Sequence, residues 1–324
     1  MTKAIRIHAH GGPEVMQWED VPTPEPGAGE VLVKHAAVGL NYIDVYFRTG
    51  LYKAPSMPMT IGMEGAGTVT AIGPGVTEVA VGDRVAYAGA IGSYATERVL
   101  PAEKLVKLPA GIDFKTGAAM MLQGMTAQYL VRRTHTVKPG ETIVVHAAAG
   151  GVGLILGQWA KHLGATVIGT VGSDEKAKLA KAHGCAHTIV YTREDFVKRV
   201  EEITEGKKVP VVYDSVGKDT FLKSLDCLAP LGVAALFGQS SGGVEPLNLG
   251  LLAQKGSLFV TRPTLNTYAA KRENLVAMAK ELFDVVKSGA VKIEVHQTYP
   301  LKDAAKAHAD LAARKTTGST VFLI

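Results

Sequence analysis

The chain has 324 residues, which is long for one compact domain and suits two. Hydrophobic residues make up 47% and charged residues 20%, so the composition is that of a globular protein and excludes a disordered chain. The net charge of +5 comes from scattered Lys and Arg side chains rather than from a basic stripe. We therefore expect no nucleic-acid partner.

Cysteine content and the distribution of apolar residues indicate the cellular compartment to expect. The two cysteines, Cys185 and Cys227, exclude a disulfide-dense scaffold and favour a reducing environment. The N-terminal segment lacks the apolar core of a signal peptide, so we expect a cytoplasmic protein. Residues 142–160 are the most apolar stretch, but His146 and a Gly-Gly pair interrupt them. This stretch predicts a buried strand, turn and helix rather than a membrane span.

Residues 1–120 are typical of short strands broken by Gly and Pro. Strands are predicted at 30–40, 67–75 and 82–89, with a loop at 21–30 before the first of them. The pattern predicts a β-rich domain.

From about residue 124 the pattern changes to regular alternation. Strands are predicted at 142–147, 165–170, 187–191, 210–216, 233–238 and 257–262. Helices are predicted between them at 151–163, 174–184, 194–204 and 219–228. Such alternation indicates βαβ units and a doubly wound parallel sheet of the Rossmann type. Mixed structure follows, with helices near 271–287 and 302–313 and strands near 292–299 and 319–324.

A Gly-rich turn joins the first strand of this sheet to the first helix. Residues 148–153 read Ala-Ala-Gly-Gly-Val-Gly, a variant of the dinucleotide fingerprint. Gly150 and Gly151 let the backbone approach a pyrophosphate, and Gly153 lets the helix pack closely on the strand. The helix N-terminus offers N–H groups to the phosphates. A turn that binds nothing is the alternative, which the six-strand context disfavours.

The end of the second strand bears on the choice of dinucleotide. An NAD site usually carries an acid there, but this strand ends in Thr-Val-Gly-Ser at 170–173. Asp174 and Glu175 stand just beyond, in the first turn of the next helix, where acids also favour the helix dipole. Lys176 and Tyr191 suit a 2′-phosphate, so NADPH is favoured over NADH. A solvated helix charge is the alternative interpretation of Lys176.

Residues 62–67 read Gly-Met-Glu-Gly-Ala-Gly and, with the Gly-rich turn, resemble the medium-chain dehydrogenase/reductase superfamily. Zinc members of that superfamily carry ligands where this chain has Asn41, Met63 and Leu122, and the lobe with four cysteines is missing. A catalytic zinc needs about three good protein ligands. The resemblance therefore implies no metal, with Asp44 and Glu64 holding loops by hydrogen bonds.

Within the superfamily the chain is most similar to the NADPH-dependent quinone oxidoreductases of the zeta-crystallin-like branch. Residues 140–161 fit that branch's signature, apart from a conservative Val144, and matches continue at 41–46, 48–52, 212–217 and 237–239. The resemblance implies an α/β protein with a GroES-like catalytic domain at 1–123 and 263–324 and a Rossmann domain at 124–262. It also implies a homodimer formed through edge strands such as 257–262.

The resemblance assigns roles to particular residues. It places Asn41 and Tyr46 at the nicotinamide end of the cofactor and Thr126 near the nicotinamide ribose or phosphate. The residues implied for the pyrophosphate are Gly150, Gly151, Val152 and Gly153, and those for the 2′-phosphate are Gly172, Ser173, Lys176 and Tyr191. Further cofactor contacts are implied at the carboxyl edge of the sheet for Ser215, Phe237, Gly238 and Gln239. Arg262 and Arg314 are expected to reach phosphate or to close the cleft, with a surface salt bridge as the alternative for each.

Catalysis would be hydride transfer, which the cofactor supplies and the protein orients. The catalytic candidates are Asn41, Tyr46 and Tyr52, of which the two tyrosines are possible proton donors; water is another. Three histidines, His8, His10 and His35, are donors by residue type only, and we expect them on the surface or in loops.

Two other functions stay open. One is an NADPH-dependent enone or enoyl-thioester reductase, in which Tyr52 would protonate the substrate α-carbon. The other is an NADPH-binding structural or RNA-binding protein of the crystallin kind.

Overall fold

A computed structural model describes residues 1–53 and 56–324. The chain divides into two compact units. Unit 1 comprises residues 1–125, 269–287 and 293–324, and unit 2 comprises residues 126–268 and 288–292. The divisions fall a few residues from the predicted boundaries at 123/124 and 262/263.

The N-terminal part of unit 1 is rich in strands. Its elements are β1 (Thr2–Ile7), β2 (Met16–Val21), β3 (Glu30–Leu40), α1 (Tyr42–Thr49), β4 (Met59–Thr60), β5 (Glu64–Ile72), β6 (Arg84–Ala88), β7 (Glu97–Pro101) and β8 (Val106–Lys107). Helix α2 (Phe114–Tyr129) begins in unit 1 and ends in unit 2, where it leads into a π-helical turn, Leu130–Thr134.

Unit 2 alternates strands and helices. Its elements are β9 (Thr142–Val145), α3 (Gly151–His162), β10 (Thr166–Val171), α4 (Asp174–Ala182), β11 (Cys185–Val190), α5 (Phe196–Ile203), β12 (Val209–Asp214), α6 (Phe221–Ser224), β13 (Leu228–Leu236), α7 (Gly250–Gln254), β14 (Phe259–Thr261) and α8 (Leu265–Tyr268). Among the described residues its sheet has six parallel strands in the order β11-β10-β9-β12-β13-β14. This is the doubly wound order, in which the chain crosses over between β11 and β12, so the predicted fold class is confirmed.

The C-terminal segment returns to unit 1. It forms α9 (Arg272–Lys287), β15 (Val295–Pro300), α10 (Ala304–Ala312) and β16 (Ser319–Leu323). Strand β16 pairs with β3, and the larger sheet of unit 1 has the order β15-β16-β3-β5-β6-β8, with β7 also paired to β3. A smaller sheet has the order β2-β1-β4.

The core of unit 2 is made by the apolar runs of its parallel strands. Val144, Ile168, Ile189 and Val212 are fully buried together with helix residues such as Phe196. Central parallel strands are covered on both faces, so they read as continuous apolar segments rather than as alternating ones. Each such buried side chain contributes about 1.5–3 kcal/mol of transfer free energy.

Helices α1 and α2 differ from the sequence prediction, which has strands and loops over residues 1–120. Helix α1 is short and begins at a capping box formed by Asn41 and Asp44. Helix α2 is apolar around most of its circumference, so it lacks the periodicity of a surface helix. A Cβ atom at Gly124 would lie 2.5 Å from a methyl carbon of Leu282, which shows how closely α2 and α9 pack.

No helix within the described part of the chain combines the length and the apolar character that a bilayer crossing requires.

Candidate active site

The Gly-rich turn of unit 2 folds as a tight loop between β9 and α3. Ala147 adopts a left-handed backbone conformation (φ 53°), and the Gly150 N–H donates to the Ala147 carbonyl at 2.9 Å. The Ala148 N–H donates to the Thr170 carbonyl at 3.1 Å, which ties the turn to β10. Helix α3 then begins at Gly151, and its first N–H groups have no intrahelical acceptor. They form the kind of N-terminus that binds phosphate.

Gly153 makes this geometry possible. A Cβ atom there would lie 2.4 Å from the Ala147 carbonyl oxygen and 2.8 Å from the Ala148 Cα. Because both neighbours are backbone atoms, no side-chain movement could make room. The residues around the turn therefore fit a dinucleotide pyrophosphate: α3 packs closely on the turn, while the backbone of Gly150 to Val152 stays only half-buried.

The four residues predicted for the 2′-phosphate lie near one another at the carboxyl ends of β10 and β11. Ser173 caps α4, where its Oγ accepts from the Lys176 N–H at 3.3 Å. A Cβ atom at Gly172 would lie 2.9 Å from the Tyr191 hydroxyl oxygen, so these two residues are direct neighbours. Tyr191 is 40% exposed. A hydroxyl, the first turn of a helix and an exposed phenol thus meet at one edge of the sheet.

Arg193 belongs to the same edge, although it was not among the predicted site residues. Its Nη1 and Nη2 donate to the two carboxylate oxygens of Asp174 at 2.7 and 2.5 Å. The hydrogen bonds from Arg193 lower the pKa of Asp174. The available signal was an arginine two residues beyond Tyr191. Asp174 therefore does not stand at this edge as an uncompensated negative charge.

The loops that follow β12 and β13 hold the next group of predicted residues. The Phe237 N–H donates to the Asp214 carbonyl at 2.8 Å, and the Ser240 N–H donates to the Ser215 carbonyl at 3.1 Å. A Cβ atom at Gly238 would lie 2.7 Å from the Ser215 carbonyl oxygen. The structure thus brings Ser215, Phe237 and Gly238 together at the carboxyl edge, followed by Gln239.

The remaining predicted cofactor residues are spread over both units. In unit 2, Thr126 is buried on α2, and Arg262 donates from Nη1 to the Leu236 carbonyl at 3.1 Å. In unit 1, Arg314 lies beyond α10 in a left-handed conformation (φ 58°). Its positive charge acts on the Tyr42 phenol, whose pKa is nevertheless raised by burial.

In unit 1, Asn41 lies at the centre of a buried hydrogen-bond cluster. Its Nδ2 donates to Glu64 Oε2 at 2.7 Å, and its Oδ1 accepts from Gln123 Nε2 at 3.1 Å. Its backbone N–H donates to Asp44 Oδ2 at 2.8 Å. The other oxygen of Glu64, Oε1, accepts from the Leu122 N–H at 2.8 Å. Asn41 is therefore held between two buried carboxyl groups.

Burial changes the acidity of both carboxyl groups. Desolvation raises the pKa of Glu64 to about 8, although the hydrogen bonds from Asn41 and Leu122 act in the opposite direction. The neighbouring Asp44 charge raises it further. Desolvation likewise raises the pKa of Asp44 to about 7, opposed by hydrogen bonds from Asn41 and Tyr94. Both groups therefore titrate near neutrality rather than near pH 4.

A second chain of buried polar groups, not predicted from the sequence, ends on Asp44. Tyr94 donates from its hydroxyl to Asp44 Oδ2 at 2.9 Å and lies 3.1 Å from His308 Nε2. Arg48 Nη1 donates to His308 Nδ1 at 3.0 Å. All four side chains are buried.

The two catalytic tyrosine candidates belong to an aromatic cluster at α1. The Tyr46 and Tyr52 rings have centroids 5.2 Å apart, and Tyr42 lies 6.1 Å from Tyr46. Phe47 packs against Tyr52 with centroids 5.7 Å apart. The structure thus brings together Tyr46, on the helix that Asn41 caps, and Tyr52, which follows that helix.

The prediction for His35 is wrong. It is not a surface or loop histidine but a buried residue of β3, with Nδ1 2.7 Å from the Ala95 carbonyl and Nε2 2.8 Å from the Tyr87 hydroxyl. Burial lowers the pKa of His35 to about 4. The alternating strand placed its side chain inward, which residue type alone does not reveal. His8 and His10 are exposed as predicted.

Comparisons with known proteins assign the family. Residues 27–110 match the alcohol dehydrogenase GroES-like domain, and residues 151–281 match the zinc-binding dehydrogenase domain. The chain is 57% identical to a quinone oxidoreductase of Pseudomonas aeruginosa, with both chains covered completely. The chain belongs to the quinone oxidoreductase branch of the medium-chain dehydrogenase/reductase superfamily.

Two further comparisons bear on chemistry. The crystal structure of the Escherichia coli quinone oxidoreductase complexed with NADPH matches with a TM-score of 0.98 and 49% identity, covering both chains completely. A 2-haloacrylate reductase from a Burkholderia species is 47% identical over 100% of this chain and 99% of its own length. The resemblance noted in the sequence is thereby confirmed.

In this chain, the positions that hold zinc ligands in other members of the superfamily carry different residues, Asn41, Met63 and Leu122. Asn41 is bonded to Glu64 and Gln123, Met63 is buried, and Leu122 contributes only its backbone N–H to Glu64. Within residues 1–53 and 56–324, no group of three or more His, Cys, Asp or Glu side chains could hold a metal ion. A reaction without zinc stays a prediction.

Proposed function

We propose that this protein is an NADPH-dependent quinone oxidoreductase. The observation that carries the proposal is its full-length likeness to quinone oxidoreductases, one of which was solved with NADPH. The Gly-rich turn of unit 2 supports it, because the turn has the close backbone approach that a pyrophosphate needs. The reaction would convert NADPH, a proton and a quinone into NADP⁺ and a quinol.

Unit 2 would bind the cofactor. Gly150, Gly151, Val152 and Gly153 would hold the pyrophosphate at the start of α3. Ser173, Lys176 and Tyr191, beside Gly172, would hold the 2′-phosphate, which favours NADPH over NADH. Arg193 supports this choice because it neutralises Asp174 at the same edge. When bound, the nicotinamide supplies the hydride.

The other predicted cofactor residues have positional roles in the proposal. Thr126 would contact the nicotinamide half of the cofactor. Ser215, Phe237, Gly238 and Gln239 would line its path along the carboxyl edge of the sheet. Arg262 and Arg314 would contribute positive charge toward phosphate.

Unit 1 would contribute the groups that act on the acceptor. The hydrogen bonds of the described residues use one of the two amide protons of Asn41, in the bond to Glu64. The other is suited to donate to a carbonyl oxygen that gains negative charge as hydride arrives. Tyr46 and Tyr52 offer aromatic surface for a planar ring and phenolic hydroxyls for proton transfer.

The test is oxidation of NADPH or NADH by 1,4-benzoquinone, followed through the absorbance of the reduced nicotinamide. We expect fast oxidation of NADPH, slow oxidation of NADH and no effect of a zinc chelator. If NADPH binds but neither a quinone nor an enone oxidises it, the proposal is wrong and a binding or structural role gains support.

A second candidate is reduction of an activated carbon–carbon double bond. The 47% identity to a 2-haloacrylate reductase favours it. In that reaction hydride goes to the β-carbon and a proton to the α-carbon, and Tyr52 would be the proton donor. The same cofactor site would serve both reactions, so the acceptor distinguishes them.

We also propose a homodimer formed through β14. This strand lies at the edge of the unit 2 sheet and leaves Phe259 60% exposed, with Val260 beside it also exposed. An apolar edge strand is a ready template for pairing with another chain. A second copy of the same strand would continue the sheet.

A further inference from the structure

We propose that Arg48, His308 and Tyr94 are positioning residues for the reductase reaction proposed above. They form a hydrogen-bonded chain that ends on Asp44 and so fixes the start of α1, the helix that Asn41 caps and that carries Tyr46. The inference rests on the proposed function, since it assigns Asn41 and Tyr46 to the acceptor.

The direction of every bond in this chain follows from chemistry. A guanidinium has donors and no acceptor, so His308 Nδ1 must accept from Arg48. A neutral imidazole with an accepting Nδ1 carries its proton on Nε2, which then donates to the Tyr94 oxygen. Burial lowers the pKa of His308 to about 3, which keeps it neutral. Tyr94 in turn donates to Asp44 Oδ2.

The outer end of the chain shows that it holds geometry rather than moving protons. A proton relay needs a group there that can take up and release a proton. Arg48 stands in that place, and a guanidinium stays protonated in proteins. Arg48 is also anchored itself, because its Nε donates to the Gly11 carbonyl at 3.3 Å.

The chain clamps α1 near both ends. Asp44 lies in its first turn and Arg48 in its last, and the path between them runs through Tyr94 and through His308 on α10. Asp44 Oδ2 accepts from Tyr94 and from the Asn41 backbone N–H together. Asp44 Oδ1 has no partner among the described residues, so the bonding of this carboxyl group rests on one oxygen.

A separate chain orients the Asn41 side chain. The Ser319 hydroxyl shares its proton between Gln123 Oε1 at 2.7 Å and the Ala119 carbonyl oxygen at 3.1 Å, and Gln123 Nε2 donates to Asn41 Oδ1. The amide of Asn41 must then donate to Glu64. The first chain thus fixes the backbone of Asn41 and the second fixes its side chain, and disturbing the first shifts Asn41 without removing any group assigned to cofactor or acceptor.

The experiment compares Tyr94→Phe with Tyr299→Phe in the full-length protein. Both rings pack on Phe322, but Tyr299 donates to Asp310 rather than to the Asp44 chain. For Tyr94→Phe we expect kcat with 1,4-benzoquinone to fall about tenfold or more, since a misplacement of about 1 Å can cost up to about a hundredfold. KM and Kd for NADPH should stay within about twofold of wild type, as should every constant of Tyr299→Phe.

Two variants of His308 test the direction of the chain. His308→Gln keeps one acceptor and one donor, so it should recover most of the kcat that His308→Leu loses. Equal losses in both variants, or an unchanged kcat in Tyr94→Phe, would overturn the inference. So would a loss that matches the unfolded fraction measured by the stoichiometry of NADPH binding.

A failure of the proposed function is recognised separately. It shows as a wild-type protein that oxidises NADPH with neither a quinone nor an enone. The crystal structure of Tyr94→Phe then decides the positioning claim by itself. A displaced Asn41 that has lost its bond to Glu64 supports the claim, and an unmoved Asn41 refutes it.

Discussion

Arg193 and Asp174 form a two-point ion pair at the edge of unit 2 where the adenosine phosphate is proposed to bind. Both partners are more than half exposed, so the pair itself adds little to stability. Its importance lies in charge: it places a cation beside an acid that would otherwise repel a phosphate.

Arg193→Ala and Asp174→Ala should therefore change cofactor preference in opposite directions. Without Arg193, the Asp174 carboxylate faces the phosphate alone, and the NADPH over NADH preference should fall about tenfold, equivalent to about 1.4 kcal/mol. Without Asp174, Arg193 is released toward the phosphate and the preference should rise. Ratios of kcat/KM measure both effects, with Lys207→Ala as the control, since Lys207 precedes β12 at the opposite end of the sheet. A shift in the same direction for both variants would refute this account.

Gly153→Ala should abolish tight NADPH binding. The new methyl group would lie 2.4 Å from the Ala147 carbonyl oxygen, and forcing it in should cost about 1–3 kcal/mol of stability. Gly243→Ala is the matched control, because a Cβ atom there meets nothing within 4 Å. Fluorescence titration with NADPH and thermal unfolding of both variants provide the measurements. Wild-type affinity in Gly153→Ala would show that the turn can open without cost.

Stability should decrease as the pH rises toward 8. Glu64 titrates near 4.5 when unfolded and at about 8 when folded, and Asp44 near 3.8 and at about 7. Between the unfolded and the folded pKa values, the folded state binds more protons than the unfolded state. The free energy of unfolding therefore decreases as the pH rises through the folded pKa values. The measurement is the unfolding temperature between pH 5 and 9. Glu64→Gln should remove the part of its decline that lies at the highest pH. The same slope in wild type and Glu64→Gln would assign the decline to another group.

The buried histidines lower the stability of the folded protein at acid pH. Desolvation lowers the pKa of His35 to about 4 and that of His308 to about 3, from 6.5 in the unfolded chain. The unfolded state then binds more protons below pH 6.5, which by itself makes stability fall as the pH drops toward 4. Between pH 4.5 and 6.5 this effect opposes that of Glu64 and Asp44, so together they predict a broad maximum of stability there and a decline above pH 6.5.

Tyr52→Phe should separate the two candidate acceptors. Quinol oxygens can take their protons from water, so quinone reduction should change little. Protonation of carbon is slow without a positioned donor, and reduction of 2-haloacrylate or an enone should fall about a hundredfold if Tyr52 is that donor. Steady-state rates with both acceptors, at saturating NADPH, decide the matter. Equal effects on both would remove Tyr52 as a specific proton donor.

Phe259→Glu should convert the proposed dimer into a monomer. A carboxylate on an exposed edge strand opposes pairing with a second copy, as charged edge residues do in natural sheets. Light scattering coupled to gel filtration gives the mass directly. Leu222→Glu, at another exposed apolar position of unit 2, controls for a general effect of added charge. A wild-type protein that is already monomeric contradicts the dimer.

The sequence predicted unit 2 well because its signals are local. Each strand is an apolar run, Gly153 follows the first of them at a fixed spacing, and these features need no knowledge of distant residues. Unit 1 is different. Tyr94 lies 214 residues from His308, and His308 lies 260 residues from Arg48, so no periodicity could place them together.

The candidate site divides in the same way. Gly172, Ser173 and Tyr191 could be grouped from the ends of neighbouring strands, since parallel strands end at one edge. The ion pair of Arg193 with Asp174 could not, because the conformation of an exposed loop decides which charges meet. Helix α2 was missed since burial on most sides removes the amphipathic pattern on which helix prediction depends.

Strand β16 has a consequence for how the protein is made. It pairs with β3 and places Ser319 against Gln123, which orients Asn41. Asn41 leaves the ribosome long before Ser319 does. During translation unit 2 can fold while the sheet of unit 1 still lacks β16. On the proposed function, unit 2 would then reach its cofactor-binding form before Asn41 is oriented, and turnover would begin only after β16 has paired with β3.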